Sequence, residues 1–356
     1  MSIVAHTRPF VIGVDAHARN HALAILACPN GEIRDEQQFP TTAAGLQRAI
    51  AWVARRTGAD LDTLWVIEGV GTYGAQLARA AAEAGYSVAE ATRMNARANR
   101  GVGKSDPLDA RRIAQAVLPL QDAQLRRPRG DDGVRAALRV LIASRDHITT
   151  ERTSAINALI ALLRVVDLGV DARGTLTASQ IAKVAAWRNR TEELATGIAR
   201  AEAVRLAKRI RAADDELSAV TRQMTALLKD SPAAGLLDQP GIGPVTAAIA
   251  FAAWSHPGRV RSEAAFASLA GVNPIPASSG NTVRHRINRG GDRRLNRALH
   301  MAIVTRMRMD PDTRAYIEKR TAEGRTLREI RRSLKRYLAR QIYRHLNAAT
   351  AVAPAT

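Results

Sequence analysis

Four carboxylates stand out by their positions. Asp15 closes the apolar run VIGVDAH, where a central strand has no packing reason to carry a charge. Glu68 closes a second apolar run, LWVIEGVGTYG. Asp106 and Asp109, in KSDPLDARRIA, open a helical pattern three residues apart, a spacing that places both on one face. Acids brought side by side repel unless a divalent cation bridges them. Carboxylates arriving from two strand ends and one helix face meet the needs of a two-magnesium phosphoryl-transfer centre. There, hard oxygens hold the ions and the ions clamp the attacking and leaving oxygens of an in-line displacement. Three of the acids also have ordinary readings: Asp106 as a helix cap ahead of Pro107, Asp109 as a partner for Arg112, Glu68 as a plain strand-end acid. Asp15 is the hardest to explain away.

A second chemistry-bearing stretch is LAGVNPIPASSGNTVRHRINRGGDRRLNRAL. Ser278, Ser279 and Gly280 follow two prolines, so the approach is stiff and the glycine lets the backbone turn to project a hydroxyl. Arg284, Arg286, Arg289, Arg293, Arg294 and Arg297 come next, a density of cations suited to holding a phosphate chain. On the residues alone, a Ser/Gly turn beside a basic surface is a simpler reading than a serine nucleophile. Upstream, LLDQPGIGPVTAAIA has the look of a helix-hairpin-helix, in which Gly241 and Gly243 expose backbone amides at a helix N-terminus for a phosphate. Its alternative is an αα-turn whose glycines permit tight packing.

The elements that must position these groups can be placed by periodicity. Strand patterns cover Phe10–Ala16, His21–Ala27, Glu32–Phe39, Leu64–Glu68 and Ser87–Ala91, with helices beginning near Thr41, Thr72 and Asp106. Cys28-Pro29-Asn30-Gly31 is too short for a helix and reads as a hairpin turn, which excludes a Rossmann order and leaves βββαβαβα. That is the order of a ribonuclease-H-like fold. From 132 to 228 strand signals vanish, and Leu138, Leu141, Ile148, Leu159 and Leu163 form a helical stripe. Arg145 and Arg152 interrupt a strict heptad, so a helical hairpin or loose coiled coil is expected, turning at Gly169–Gly174. A third, mostly helical segment ends in a basic amphipathic helix striped by Leu327, Ile330, Leu334, Leu338 and Ile342. The expected division is 1–130, 131–231 and 232–350, with a disordered tail at 351–356.

Composition narrows the function classes. Lys and Arg number 53 against 33 Asp and Glu, a net charge of +20 over 356 residues, so a polyanion is the natural partner. No apolar stretch reaches the roughly 20 residues of a membrane span, and no leader pattern opens the chain. Cys28 is the only cysteine, which rules out an internal disulfide and points to the cytoplasm.

Taken together, GVDAH, IEGVGTYG, KSDPLDARRIA, PGIGPVTA, LAGVNPIPASSG and RGGDRRLNRAL resemble the DEDD-type insertion-sequence transposases of the IS-one-ten type, a group that includes Piv-like DNA invertases and bridge-RNA-guided recombinases. The likeness runs over nearly the whole chain. It implies a RuvC-like N-terminal domain, a coiled-coil middle and a C-terminal transposase domain with a catalytic serine. In the family that serine directly precedes glycine, which points to Ser279. The resemblance also implies Asp15, Glu68, Asp106 and Asp109 as ligands of magnesium, a homodimer or homotetramer, and a non-coding guide RNA pairing with donor and target DNA. Two other readings fit the same residues: a hydrolytic, junction-resolvase-like nuclease in which the serine is idle, and a non-catalytic nucleic-acid-binding scaffold.

Overall fold

The computed structural model describes residues 2–92, 105–130, 133–188, 190–278 and 285–352. They form two compact units, Met1–Arg129 and Gly130–Thr356.

The first unit is built on one sheet. After a one-turn helix, α1 (Val4–Thr7), come β1 (Phe10–Ala16), β2 (Asn20–Ala27) and β3 (Glu32–Pro40). The expected turn at Cys28–Gly31 closes the second hairpin, between β2 and β3, with the Gly31 N–H donating to the Ala27 carbonyl. Helix α2 (Ala43–Thr57), β4 (Leu64–Ile67), α3 (Ala75–Glu83), β5 (Ser87–Glu90) and α4 (Asp106–Gln115) follow. The strand order is β3-β2-β1-β4-β5. β1–β2 and β2–β3 pair antiparallel, while β1–β4 and β4–β5 pair parallel. This is the arrangement expected of a ribonuclease-H-like sheet.

The two faces of the sheet are read off β1. Ile12 and Val14 point to the side covered by α2 and α3, in a core with Trp52, Trp65 and Leu77. Val11 points to the opposite side, in a core with Ala110, Ile113 and Ala114 of α4. Side chains alternate along a strand, so Gly13 and Asp15 share the α4 side.

Among the described residues, the second unit is helical apart from one short hairpin. Its long helices α5 (Gly133–Val165) and α7 (Leu194–Lys229) pack along one another. The seam is not a regular heptad, because Arg152 makes a two-pronged ion pair with Asp214 across it. The turn expected at Gly169–Gly174 is only the beginning of the link between these helices, which includes α6 (Ala178–Ala185). Thr177 and Gln180 close a capping box at its start, a signature that is present in the sequence and easy to overlook. Arg200 of α7 ties the link down by stacking over Trp187, 4.9 Å from the ring centroid, and by pairing with Glu192.

At the other end of the hairpin, Leu138, Ile142, Met224 and Leu228 join a core centred on α8 (Pro244–Trp254). Helix α8 is apolar all round and nearly wholly buried, as a helix packed on every side must be. Against it pack α10 (Arg293–Met309) and α12 (Leu327–Val352), with α9 (Glu263–Leu269) on α12 and α11 (Pro311–Ala322) on both α10 and α12. Ile330, Leu334, Leu338, Ile342 and Leu346 form the buried stripe of α12; Leu327 is exposed. The Pro-rich segment ahead of Ser278 contributes to a short antiparallel pair, β6 (Pro274–Pro276) with β7 (His285–Ile287). No helix among the described residues is long and apolar enough to cross a membrane.

Candidate functional site

Gly13 decides where the first unit can build a site. A Cβ at this position would lie 2.0 Å from the Ala110 carbonyl oxygen and 2.8 Å from the Ala114 nitrogen. Only a glycine lets α4 lie this close to the central strand. The close approach brings the first turn of α4 to the end of β1, where Asp15 is 8% exposed. His17, two residues on and on the same side, puts its Nε2 3.0 Å from Asp15 Oδ2 and 3.5 Å from Asp106 Oδ1. Ligand atoms of Asp15, His17 and Asp106 all fall within 4.8 Å of one another. Burial pushes the Asp15 carboxyl above its usual range; His17 opposes this, and the charges of Asp109 and Asp106 add to it.

The other two expected acids stand differently. Asp109 is close enough for its charge to reach Asp15, but its carboxylate is paired with Arg112 at 3.0 Å. Glu68 follows β4 directly, and its N–H donates to the Val14 carbonyl, so its backbone continues the ladder beside Asp15. Its side chain is exposed and outside the Asp15–His17–Asp106 group. Asp106 is not the cap of α4, because Ser105 takes that position and Asp106 is the first helical residue. His17 is the member that reading for acids alone missed. Its signal was the i, i+2 spacing from Asp15 at a strand end, which places both side chains on one face.

This donor set fits a divalent cation. The charge of Asp106 adds to the cost of ionising the buried Asp15, and a cation between them removes that cost. Carboxylate oxygens with one imidazole are a donor set for a divalent ion.

In the second unit, Ser279 and Arg284 lie outside the described residues, in the connection between β6 and β7. Asp292 caps α10 by accepting from the N–H groups of Arg294 and Leu295. This start sets Arg293, Arg297 and His300 on the face of a groove that Arg286 and Arg289 also line. Arg294 turns away to pair with Asp146 at 2.7 Å. Gly243 is open at the N-terminus of α8, whereas Gly241 is pressed against α10. A Cβ on Gly241, at φ +74°, would lie 2.6 Å from the Ala302 carbonyl oxygen. Packing therefore accounts for Gly241 without a phosphate. Gly241→Ala is expected to destabilise the second unit by about 1–3 kcal/mol, read as a lower melting temperature. An unchanged melt would show that the close approach is not required.

Two family profiles match separate stretches of the chain. Residues 12–166 match a DEDD family profile described as "Transposase", and residues 233–318 match "Transposase IS116/IS110/IS902 family". The "Insertion element IS110 uncharacterized 43.6 kDa protein" of Streptomyces coelicolor is 26% identical, over 88% of this chain and 87% of its own length. The "Insertion element IS900 uncharacterized 42 kDa protein" of Mycobacterium paratuberculosis is 27% identical, over 89% of this chain and 90% of its own. Both profiles and both near-full-length relatives lead to one conclusion: the chain belongs to the IS110-type family of insertion-element transposases, enzymes that recombine DNA.

Proposed function

We propose that this chain cuts and rejoins DNA strands by a magnesium-dependent reaction in which Ser279 is the nucleophile. The observation that carries the reading is the convergence of Asp15, His17 and Asp106 at the mouth of a ribonuclease-H-like sheet. Asp15 and Asp106 would hold magnesium, with Glu68 and Asp109 completing the set for two ions. Bound there, magnesium would supply electrostatic stabilisation of the charge that develops on the phosphate. His17 orients Asp15 through its Nε2 contact and spaces it from Asp106.

In the strand-transfer step a bond forms from Ser279 Oγ to phosphorus, and the bond from phosphorus to one sugar oxygen breaks. The serine proton leaves to solvent or base, and the departing sugar oxygen takes one up. The phosphoserine linkage keeps the bond energy, so a free hydroxyl of another strand reverses the step and releases the serine without a nucleotide cofactor. Arg284, Arg286, Arg289, Arg293 and Arg297 bind backbone phosphates in this reading. A non-coding RNA supplies sequence recognition by pairing with donor and target, which suits a basic chain with few aromatic residues. A homodimer or homotetramer brings one chain's carboxylates to another's serine.

The test is to incubate purified protein with magnesium, DNA carrying the element's ends and RNA transcribed from its flank, then resolve the products on a denaturing gel. A covalent protein–DNA adduct mapped by mass spectrometry to Ser279 is expected. Cut DNA without adduct would overturn the serine step and favour the hydrolytic nuclease, for which the carboxylates alone suffice.

A further inference from the structure

A groove of about 800 Å³ opens in the second unit between the β7 segment, α10 and α12. Helix α12 presents to it Arg328, Arg331, Arg332, Lys335 and Arg336. Their spacing of three or four residues keeps them on one face, beside the stripe that buries Ile330 and Leu334. Arg293 and Arg297 of α10 stand across from them, and among the described residues no acidic side chain lines the groove. Of these seven cations, only Arg297 makes an ion pair among the described residues, with Asp146 at 2.8 Å, while the charge of Arg332 also reaches Glu329 on its own helix.

This density of like charge is costly, and the groove shows the cost. Lys335 reaches only a neutral acceptor, Asn296 Oδ1 at 3.1 Å. Burial first, and then Arg332, hold its ammonium below its ordinary value. His300 is held below its own by burial, then by Lys335 and Arg331. Arg331 Nε is buried with no hydrogen-bond partner among the described residues. Unpaired cations crowded in a concavity call for an anion with several charged oxygens.

The size and lining of the groove say which anion. Its volume is that of small-ligand sites, about 300–1,000 Å³, the scale of a short stretch of one strand's backbone. Among the described residues no Phe, Tyr or Trp lines it, so it lacks the broad platform on which successive bases stack. We infer that this groove holds consecutive phosphates of one nucleic-acid strand, gripping the backbone through the basic face of α12. The inference rests on the reading that the chain works on nucleic acid, and it needs neither the carboxylate cluster nor the serine.

The experiment measures binding of a fluorescent twelve-residue oligothymidylate, the matching oligouridylate and a duplex of equal length, as a function of salt. All binding is done in EDTA, so loss of metal-dependent chemistry cannot mimic a result. The groove variant combines Arg328→Gln, Arg332→Gln and Arg336→Gln; the control combines Lys208→Gln, Arg211→Gln and Arg222→Gln on the exposed side of α7 and removes the same charge. The groove variant is expected to bind single strands about tenfold more weakly at moderate salt. Its slope of log affinity against log salt should be shallower by about 2, or about 0.7 for each phosphate no longer neutralised. The control should match the wild type in slope. Stronger loss with oligouridylate would assign the groove to RNA, and stronger loss with oligothymidylate to DNA. An equal effect of both triple variants, or a duplex bound through the groove as tightly as a strand, would overturn the inference. Unchanged melting of the groove variant keeps a folding defect out of the comparison.

Discussion

Asp15→Asn is expected to reduce metal-dependent strand cleavage by about three orders of magnitude while leaving the fold intact. A metal-held carboxylate supplies several kcal/mol of transition-state stabilisation, and about 4 kcal/mol corresponds to a thousandfold in rate. Stability should move the other way. Asp15 is buried at the end of β1, and its carboxyl is pushed above its usual range by desolvation, with the neighbouring charges of Asp109 and Asp106 adding to it. A carboxylate whose folded value is raised favours folding when protonated and opposes it once ionised, so at neutral pH the charge weakens the metal-free fold. Asparagine keeps the shape and a partner for His17 without that charge. Melting curves with and without manganese decide the matter. The wild type should gain about 3 kcal/mol at a cation concentration near one hundred times the dissociation constant, and the variant should gain nothing. A variant that keeps both the cation-dependent shift and cleavage would remove Asp15 from the metal site.

Gly13→Ala should damage stability and activity together, through one contact. The new methyl would meet the backbone of α4, with the Ala110 carbonyl oxygen at 2.0 Å and the Ala114 nitrogen at 2.8 Å. Neither atom belongs to a side chain that can rotate aside. Helix α4 must retreat by at least about 1 Å to restore ordinary van der Waals separation. Overpacking of this kind costs about 1–3 kcal/mol or more. The same retreat carries Asp106 away from Asp15 and His17, and a misplacement of about 1 Å in a reacting constellation costs on the order of a hundredfold in rate. Thermal unfolding and cleavage should therefore both fall, with cleavage lost even at temperatures where the variant is fully folded. Ala110→Gly should not rescue it, because the clash is with the main chain of residue 110. Wild-type melting and cleavage in Gly13→Ala would show that α4 does not need this contact to position Asp106.

Much of the first unit could be read directly. The runs around Asp15 and Glu68 are apolar with turn residues at both ends, and the four-residue link at Cys28–Gly31 permits only a hairpin. Strand order follows from those local facts together with the preference for short connections. The alternation in GVDAH also determines that Gly13, Asp15 and His17 share a face, since side chains reverse at every residue of a strand. Periodicity cannot say which helix covers that face. The packing of α4 against Gly13 brings Asp106 to Asp15 and His17, while Asp109 turns to Arg112 and Glu68 remains exposed. In the second unit the basic character of α12 and of the segment after Ser279 is plain from composition. The groove is not, because its cations come from stretches some 40 residues apart whose register depends on how α10 and α12 pack around α8. Local pattern reports what each segment presents on its own faces. Which faces meet depends on packing between residues distant in the chain, and that packing made both the carboxylate cluster and the cationic groove.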